Sequence, residues 1–298
     1  MIKKSIICFV ILIGLHLCFV IFNPSIGMAT HQWQDNVIKA QQFLYAEKSD
    51  TVMVGTSLSA RIIRDSIPFV KSVSFGGCSV EDGLKLILSK EDAPKYVLVE
   101  TNLILRDGNA ELISKNTEGI IPIIRRKLPS LREQYEPICL FASLIMSSTG
   151  INAQAGKSTV NMDLLNESIK RKIEEDKPVP EDEAESRIQD IKKLINELEG
   201  KGTQFIFFEM PVNERILHLN SFEQTKEIVQ REFPTDKYIY LPSDTANYLT
   251  TDGQHLDFEG QQRFSHYFKK NLVEYLLSSE QIKNTFLKPS KNNDKTNN

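Results

Sequence analysis

Short apolar runs that alternate with amphipathic stretches set the main constraint on this chain. KYVLVETN (95–102) and TQFIFFEMP (203–211) are apolar enough to be buried on both faces, as strands inside a parallel sheet are. Shorter runs of the same kind lie at 51–56 (TVMVGT), 69–75 (FVKSVSF) and 237–242 (KYIYLP). Between and around them, apolar residues recur at helical spacing in 35–47, 80–90, 181–202, 219–232 and 258–279. Gly200 and Gly202 suit the C-terminal cap of the long 181–202 helix, and Pro211 stops the fourth strand. Strands that alternate with helices predict an α/β fold, with a parallel sheet between two helical layers. In such sheets functional groups gather at the carboxyl ends of the strands.

One segment does not belong to that alternation. Residues 103 to about 180 are too many for a plain connection between the third and fourth strands. Within them, IIPIIRRKLPSLREQYEPICLFASLIMSS (120–148) predicts two helices broken by prolines. A lid, a partner surface, a membrane-facing element and a plain helical subdomain each account for such an insertion. The α/β domain with its insertion spans 31–285, and the polar tail 286–298 is expected to be disordered.

Residues 1–30 are a different material. Lys3 and Lys4 precede IICFVILIGLHLCFVIF (6–22), a run without formal charge and long enough to predict an N-terminal transmembrane helix. Lysines ahead of it predict a cytoplasmic N-terminus, with the body of the protein periplasmic or extracellular. The run exceeds the usual h-region of a signal peptide, so an uncleaved signal anchor is favoured over a cleaved one, although Gly27-Met28-Ala29 offers small residues for cleavage. Only Cys78 and Cys139 lie in the body, where they either pair or remain two buried thiols. Lys plus Arg is 36 against 39 Asp plus Glu, a net charge of −3, which gives no pull toward nucleic acid.

The stretch VMVGTSLSARII (52–63) places Ser57 where a strand ends and a helix is expected to begin. Ser57 there is either a helix cap or a nucleophile. TTDGQHLDFEG (250–260) bears on the choice: Asp252 and His255 stand three apart in one turn before a helix. A serine hydroxyl needs a base to take its proton, and the imidazole needs a carboxylate to fix its tautomer. Asp257 reads as a cap of the following helix. An oxyanion needs donors, and the candidates are the backbone N–H of Ser57, the N–H of Gly76 and the side-chain amide of Asn102, each at or just past a strand end. Gly77 is the close alternative to Gly76.

These residues resemble the blocks of the SGNH/GDSL hydrolase superfamily. VGTSLS carries the serine, SVSFGGCS the glycine, VLVETN the asparagine, and DGQHLDFEG the Asp and His, with Gly260 following. The resemblance covers most of 50–277 outside the insertion. It implies a flavodoxin-like three-layer sandwich and acyl-ester chemistry with no metal or organic cofactor. The chain departs from the usual blocks at Thr56, where Asp is usual, at Glu100 for Gly, and at Leu103 for Asp. Glu100 is expected to orient Asn102 or to repel an anionic substrate. A GxSxG elbow is a weaker match, because Gly55-Thr56-Ser57-Leu58-Ser59 lacks the second glycine.

The loosened blocks are similar to those of membrane-tethered relatives that acetylate alginate or alanylate teichoic acid. The expected function is therefore an SGNH-type serine esterase acting on acyl, above all acetyl, esters of an envelope or extracellular glycan. The alternatives are an O-acyltransferase with the same machinery and a noncatalytic assembly protein that kept the fold. Expected partners are an acylated carbohydrate or small ester, the membrane through the N-terminal helix, and an envelope-assembly protein.

Overall fold

The computed structural model describes residues 2–22, 29–149 and 160–286. Five strands form one parallel sheet: β1 (Thr51–Gly55), β2 (Val70–Ser74), β3 (Tyr96–Glu100), β4 (Gln204–Phe208) and β5 (Ile239–Tyr240). Their order is β2-β1-β3-β4-β5, the 2-1-3-4-5 arrangement of flavodoxin-like doubly wound sheets. The chain reverses direction across the sheet between β1 and β3, and a crevice is expected at their carboxyl ends.

The alternation of side chains along each strand builds two cores. Val52, Val54, Val97, Val99, Phe205 and Phe207 face one way, onto α2 (Gln32–Leu44), α3 (Val80–Leu88), α8 (Glu181–Gly200) and α9 (Asn220–Glu232). Met53, Tyr96, Leu98, Ile206 and Phe208 face the other, onto α10 (Phe258–Phe286), which contributes Phe264, Phe268 and Leu272. The strand interiors are almost fully buried, so both faces must be apolar, as the uninterrupted runs predicted. Each buried Val, Leu or Phe contributes about 1.5–3 kcal/mol by leaving water. The result is the expected three-layer α/β arrangement.

The helix expected directly after Ser57 is replaced by two 3-10 turns, Ser59–Arg61 and Arg64–Ser66. β-branched Ile62 and Ile63 adopt extended backbone between them. The Ile63 N–H donates to the Ser265 hydroxyl of α10 at 2.9 Å instead of to a helical carbonyl.

The insertion divides into α4 (Ala110–Thr117), α5 (Ile120–Lys127), α6 (Pro137–Thr149) and α7 (Met162–Glu174). Prolines bound the two helices of 120–148 as expected: Pro129 follows α5, and Pro137 opens α6. α4 packs on α2 and α3, whereas α7 lies far from them in the fold, beside the loop that precedes α10.

The N-terminal segment forms α1 (Ile2–Phe22). The expectation that it spans a membrane is corrected. No helix among the described residues is long and apolar enough to cross one. After Lys4 the helix is free of charge over 5–22, about 27 Å against a hydrocarbon core of about 30 Å. α1 nevertheless exposes Ile6, Phe9 and Leu12 by more than half, and it packs against the 3-10 turn Pro129–Leu131. The cleavage motif at Gly27-Met28 and all but the first residue of the polar tail lie outside the described residues. Cys78 and Cys139 are both free and buried. Burial pushes their thiols up to about 12 and about 11, which leaves them un-ionised and unreactive near neutrality.

Candidate active site

Three strands end in the same way. Ser57 stands two residues beyond β1, Gly76 two beyond β2 and Asn102 two beyond β3. The order β2-β1-β3 therefore gathers them at one edge of the sheet.

Ser57 is half-buried, and its hydroxyl lies 2.9 Å from Nε2 of His255. Nδ1 of His255 lies 2.7 Å from Oδ2 of Asp252. The helix-cap reading of Ser57 is not what its hydroxyl does, since Leu58 precedes the first 3-10 turn and no side chain caps it. Asp257, by contrast, accepts the N–H of Gly260 at 2.8 Å and caps α10.

The turn that carries Asp252 and His255 is braced from within. Thr251 N–H donates to the His255 carbonyl at 2.7 Å, and Asp257 N–H donates to that of Leu249 at 3.0 Å. Oδ1 of Asp252 accepts the N–H groups of Gln254 and His255 at 3.0 and 2.8 Å. Gly253 between them has φ +93°, a conformation that side chains resist. A Cβ there would also lie 3.0 Å from Ile169 of α7. α7 supports the turn from outside, because Ser168 donates to the Asp252 carbonyl at 3.1 Å and Lys172 to the Gln254 side chain at 3.1 Å. One part of the insertion is thus a buttress for the imidazole.

Burial by itself would raise the Asp252 pKa, but hydrogen bonds from the His255 ring and from the His255 and Gln254 N–H groups hold the carboxyl well below the usual carboxylate range. A carboxylate stabilised in the fold contributes stability above its unfolded value, about 3.9, and loses that contribution as pH falls toward the folded value. We expect the urea midpoint to fall between pH 5 and pH 3 by less in Asp252→Asn than in wild type. Equal losses would contradict this account of the turn.

Below Ser57 lies a network that the block patterns do not contain. Glu100, at the end of β3, is fully buried. Its carboxyl group accepts the Thr56 N–H at 2.8 Å, the Ser59 N–H at 3.0 Å, the Thr56 hydroxyl at 2.8 Å and the Ser59 hydroxyl at 2.7 Å. Ser59 Oγ also meets Ser74 Oγ, at the end of β2, at 2.9 Å. Three strand ends are thereby tied beneath the serine. Both roles expected of Glu100 are corrected: its hydrogen bonds reach Thr56 and Ser59 rather than Asn102, and full burial removes it from any substrate. Gly55 is part of the same arrangement, for a Cβ there would stand 2.1 Å from Ser59 Oγ and 2.7 Å from Glu100 Oε2.

The oxyanion candidates fare unequally. No hydrogen bond occupies the Ser57 N–H among the described residues. Gly76 N–H is taken at 3.1 Å by the side-chain oxygen of Asn36, whose Nδ2 donates to the Gly76 carbonyl at 2.8 Å. Gly76 is therefore corrected as a free donor. Its neighbour Gly77 has φ +72°, is exposed, and its N–H makes no hydrogen bond among the described residues, with the Gln32 side chain lying against both glycines. Asn102 is clamped at both ends of its amide to the Met210 backbone past β4, accepting at 2.7 Å and donating at 2.9 Å. One Nδ2 hydrogen of Asn102 stays free to donate. A groove of about 490 Å³ opens at Thr101 and Asn102 and continues along α9 past Glu209, Phe222 and Lys226.

Sequence reasoning missed Asn36, Ser59 and α7. Asn36 carries no motif; its signal is only a polar residue on the buried face of an amphipathic helix. No protein-family model matches the chain, and no curated protein matches it.

Proposed function

We propose that the chain is a serine esterase of SGNH type that cleaves acyl esters, above all acetyl esters on an envelope or extracellular glycan. The observation that carries the reading is the unbroken relay from Ser57 Oγ through His255 to Asp252, at 2.9 and 2.7 Å. Both distances fall within hydrogen-bond reach for proton transfer. The resemblance of the four blocks supports the same reading.

In the proposed mechanism His255 Nε2 takes the hydroxyl proton as Ser57 Oγ bonds to the ester carbonyl carbon. The carbonyl electron pair moves to oxygen, which receives hydrogen bonds from the Ser57 N–H, the Gly77 N–H and the free Nδ2 hydrogen of Asn102. Asp252 stabilises the imidazolium. Collapse expels the alcohol, which takes the proton from His255, and leaves an acyl-serine. Water, deprotonated by His255, then releases the carboxylic acid and restores the hydroxyl.

Incubation with a fluorophosphonate followed by peptide mapping tests the nucleophile, and modification at Ser57 is expected. A protein that stays unlabelled while folded refutes the reading. Supplying an acetyl ester together with an oligosaccharide separates the chemical outcomes: free acetate supports the esterase, and an acetylated sugar assigns the site to O-acyl transfer. Asn102→Ala is expected to lower kcat by about 10²–10³ with KM little changed, because its donor acts on charge that develops only in the transition state.

We also propose that α1 attaches the domain to a membrane. An exposed apolar helix behind two lysines supports this. Recovery of the full chain in the soluble fraction after cell lysis would refute it.

A further inference from the structure

We propose that the α5–α6 part of the insertion is a second membrane contact, which lies on the lipid surface beside α1 and fixes how the α/β domain sits above it. This rests on the membrane attachment of α1 proposed above.

The insertion shows an unusual division of its residues. α4 and α7 each keep apolar anchors against the domain: Leu112, Leu165 and Ile169 are at most 2% exposed, although Met162 and Leu164 at the start of α7 are more than half exposed. α5 and α6 present theirs to solvent. Ile120, Ile121 and Ile123 of α5, Leu131 of the following turn, and Ile138 and Phe141 of α6 are all more than half exposed. Single exposed apolar residues are ordinary, but a group of this size from two helices and the turn after the first implies a covering surface.

Two observations identify that surface as lipid. The first is continuity. α1 packs against Pro129–Leu131, and that turn in turn packs against α5. The exposed apolar residues of α1 and those of the insertion therefore meet at one place in the fold. A bilayer that receives α1 lies beside α5.

The second is charge. From Ile120 to Arg132 the chain contains Arg125, Arg126, Lys127 and Arg132 and no acidic residue. Arg125 and Arg132 are spent internally: Arg125 Nε donates to the Leu131 carbonyl at 3.1 Å, and Arg132 Nε to that of Arg125 at 3.2 Å. Arg126 and Lys127, in the last turn of α5, are exposed. Apolar side chains with exposed cations at their edge are the composition of an interfacial helix, whose apolar residues enter the acyl boundary while the cations meet anionic headgroups. Pro122 within the first turn and Pro129 just after the last keep α5 short. A helix of eight residues suits a contact parallel to the surface and is far too short to cross it.

The consequence is orientational. A domain joined to a membrane at α1 alone would have no second point to set its tilt. A second contact at α5 and α6 removes that freedom and holds the carboxyl edge of the sheet at a constant attitude to the surface.

The test uses the full chain, reconstituted in liposomes, with Cys8→Ser and Cys18→Ser to leave only the buried thiols. Single cysteines for an environment-sensitive bimane are then introduced by Ile121→Cys, Phe141→Cys and, as a control on the opposite region, Lys226→Cys. Leu12→Cys reads α1 separately. The expected result is a blue-shifted emission and loss of about half the intensity in brominated lipid at 121 and 141, at interfacial depth, with no change at 226. Blue shift and quenching at 121 and 141 should be larger in vesicles with phosphatidylserine than in phosphatidylcholine alone, and Arg126→Glu with Lys127→Glu should remove the difference. Absence of lipid quenching at 121 and 141 overturns the proposal, and it does so whether or not position 12 is quenched. Quenching at 12 alone leaves α1 as the sole attachment. Absence of quenching at 12 refutes the attachment of α1 independently.

Discussion

Ser57→Ala is expected to lower the turnover of p-nitrophenyl acetate by at least about 10⁴-fold while leaving the thermal unfolding midpoint within about 2 °C of wild type. The size of the loss follows from the geometry. Only the Ser57 hydroxyl stands at hydrogen-bond distance from His255 Nε2 among the described residues. The hydroxyl is half-exposed and bears on no other hydrogen bond of the fold, so its removal costs little stability. His255→Ala should lose about as much, and the double variant no more than either single one, because the two act as a unit. Asp252→Asn is expected to lose about 10³–10⁴-fold, because an amide no longer secures the tautomer that presents a lone pair to Ser57. Turnover by Ser57→Ala at the wild-type rate would remove the mechanism outright.

The second large effect is expected at Glu100. Glu100→Ala should destabilise the protein by about 3–5 kcal/mol, because the Thr56 and Ser59 N–H groups are left buried without partners at about 1–3 kcal/mol each, and a cavity is added. That is a large share of the 5–15 kcal/mol by which a domain of this kind is stable. Urea unfolding should show it as a lower midpoint with an unchanged slope. Glu100→Gln keeps the volume but turns an amide NH₂ toward donors, so it should fall between wild type and Glu100→Ala. The activity of either variant under folding conditions should also drop, since the backbone that carries Ser57 is anchored through these bonds. An unchanged midpoint in Glu100→Ala would show that the network contributes nothing. Gly55→Ala should resemble Glu100→Ala, because its methyl group occupies the space of the Ser59 hydroxyl and the Glu100 carboxyl.

Much of the fold was legible because burial acts locally on sequence. Runs such as VLV and FIFF have no polar side chain to give to water, so they become the interiors of central strands, and the observed strand bounds fall within one to three residues of the expected ones. Proline placement was equally readable at α5 and α6. The fate of the segment after Ser57 was not, because Ile63 is held extended with its N–H on the Ser265 hydroxyl of α10, 202 residues further on. α1 was read correctly as a helix but not for its reach, which depends on where charge ends along it.

The site divides in the same way. Ser57, Asp252, His255 and Asn102 were legible as residue types in the right order at strand ends. The occupation of Gly76 was not, since it depends on Asn36, 40 residues upstream on a helix with no recognisable motif. Glu100 drew attention as a departure from a pattern, yet its role came only from what surrounds it.

By itself, then, the amino-acid order determined the layers and strand ends, and with them the candidates for nucleophile, base and acid. The register of apolar and polar side chains is a property of neighbours along the chain, and water acts on it wherever it occurs. Only the tertiary structure decided which donors remain unclaimed around the serine and what holds the imbedded turn from behind. Those depend on angstrom-scale meetings between segments far apart in the chain, where a single hydrogen bond made elsewhere withdraws a group from chemistry.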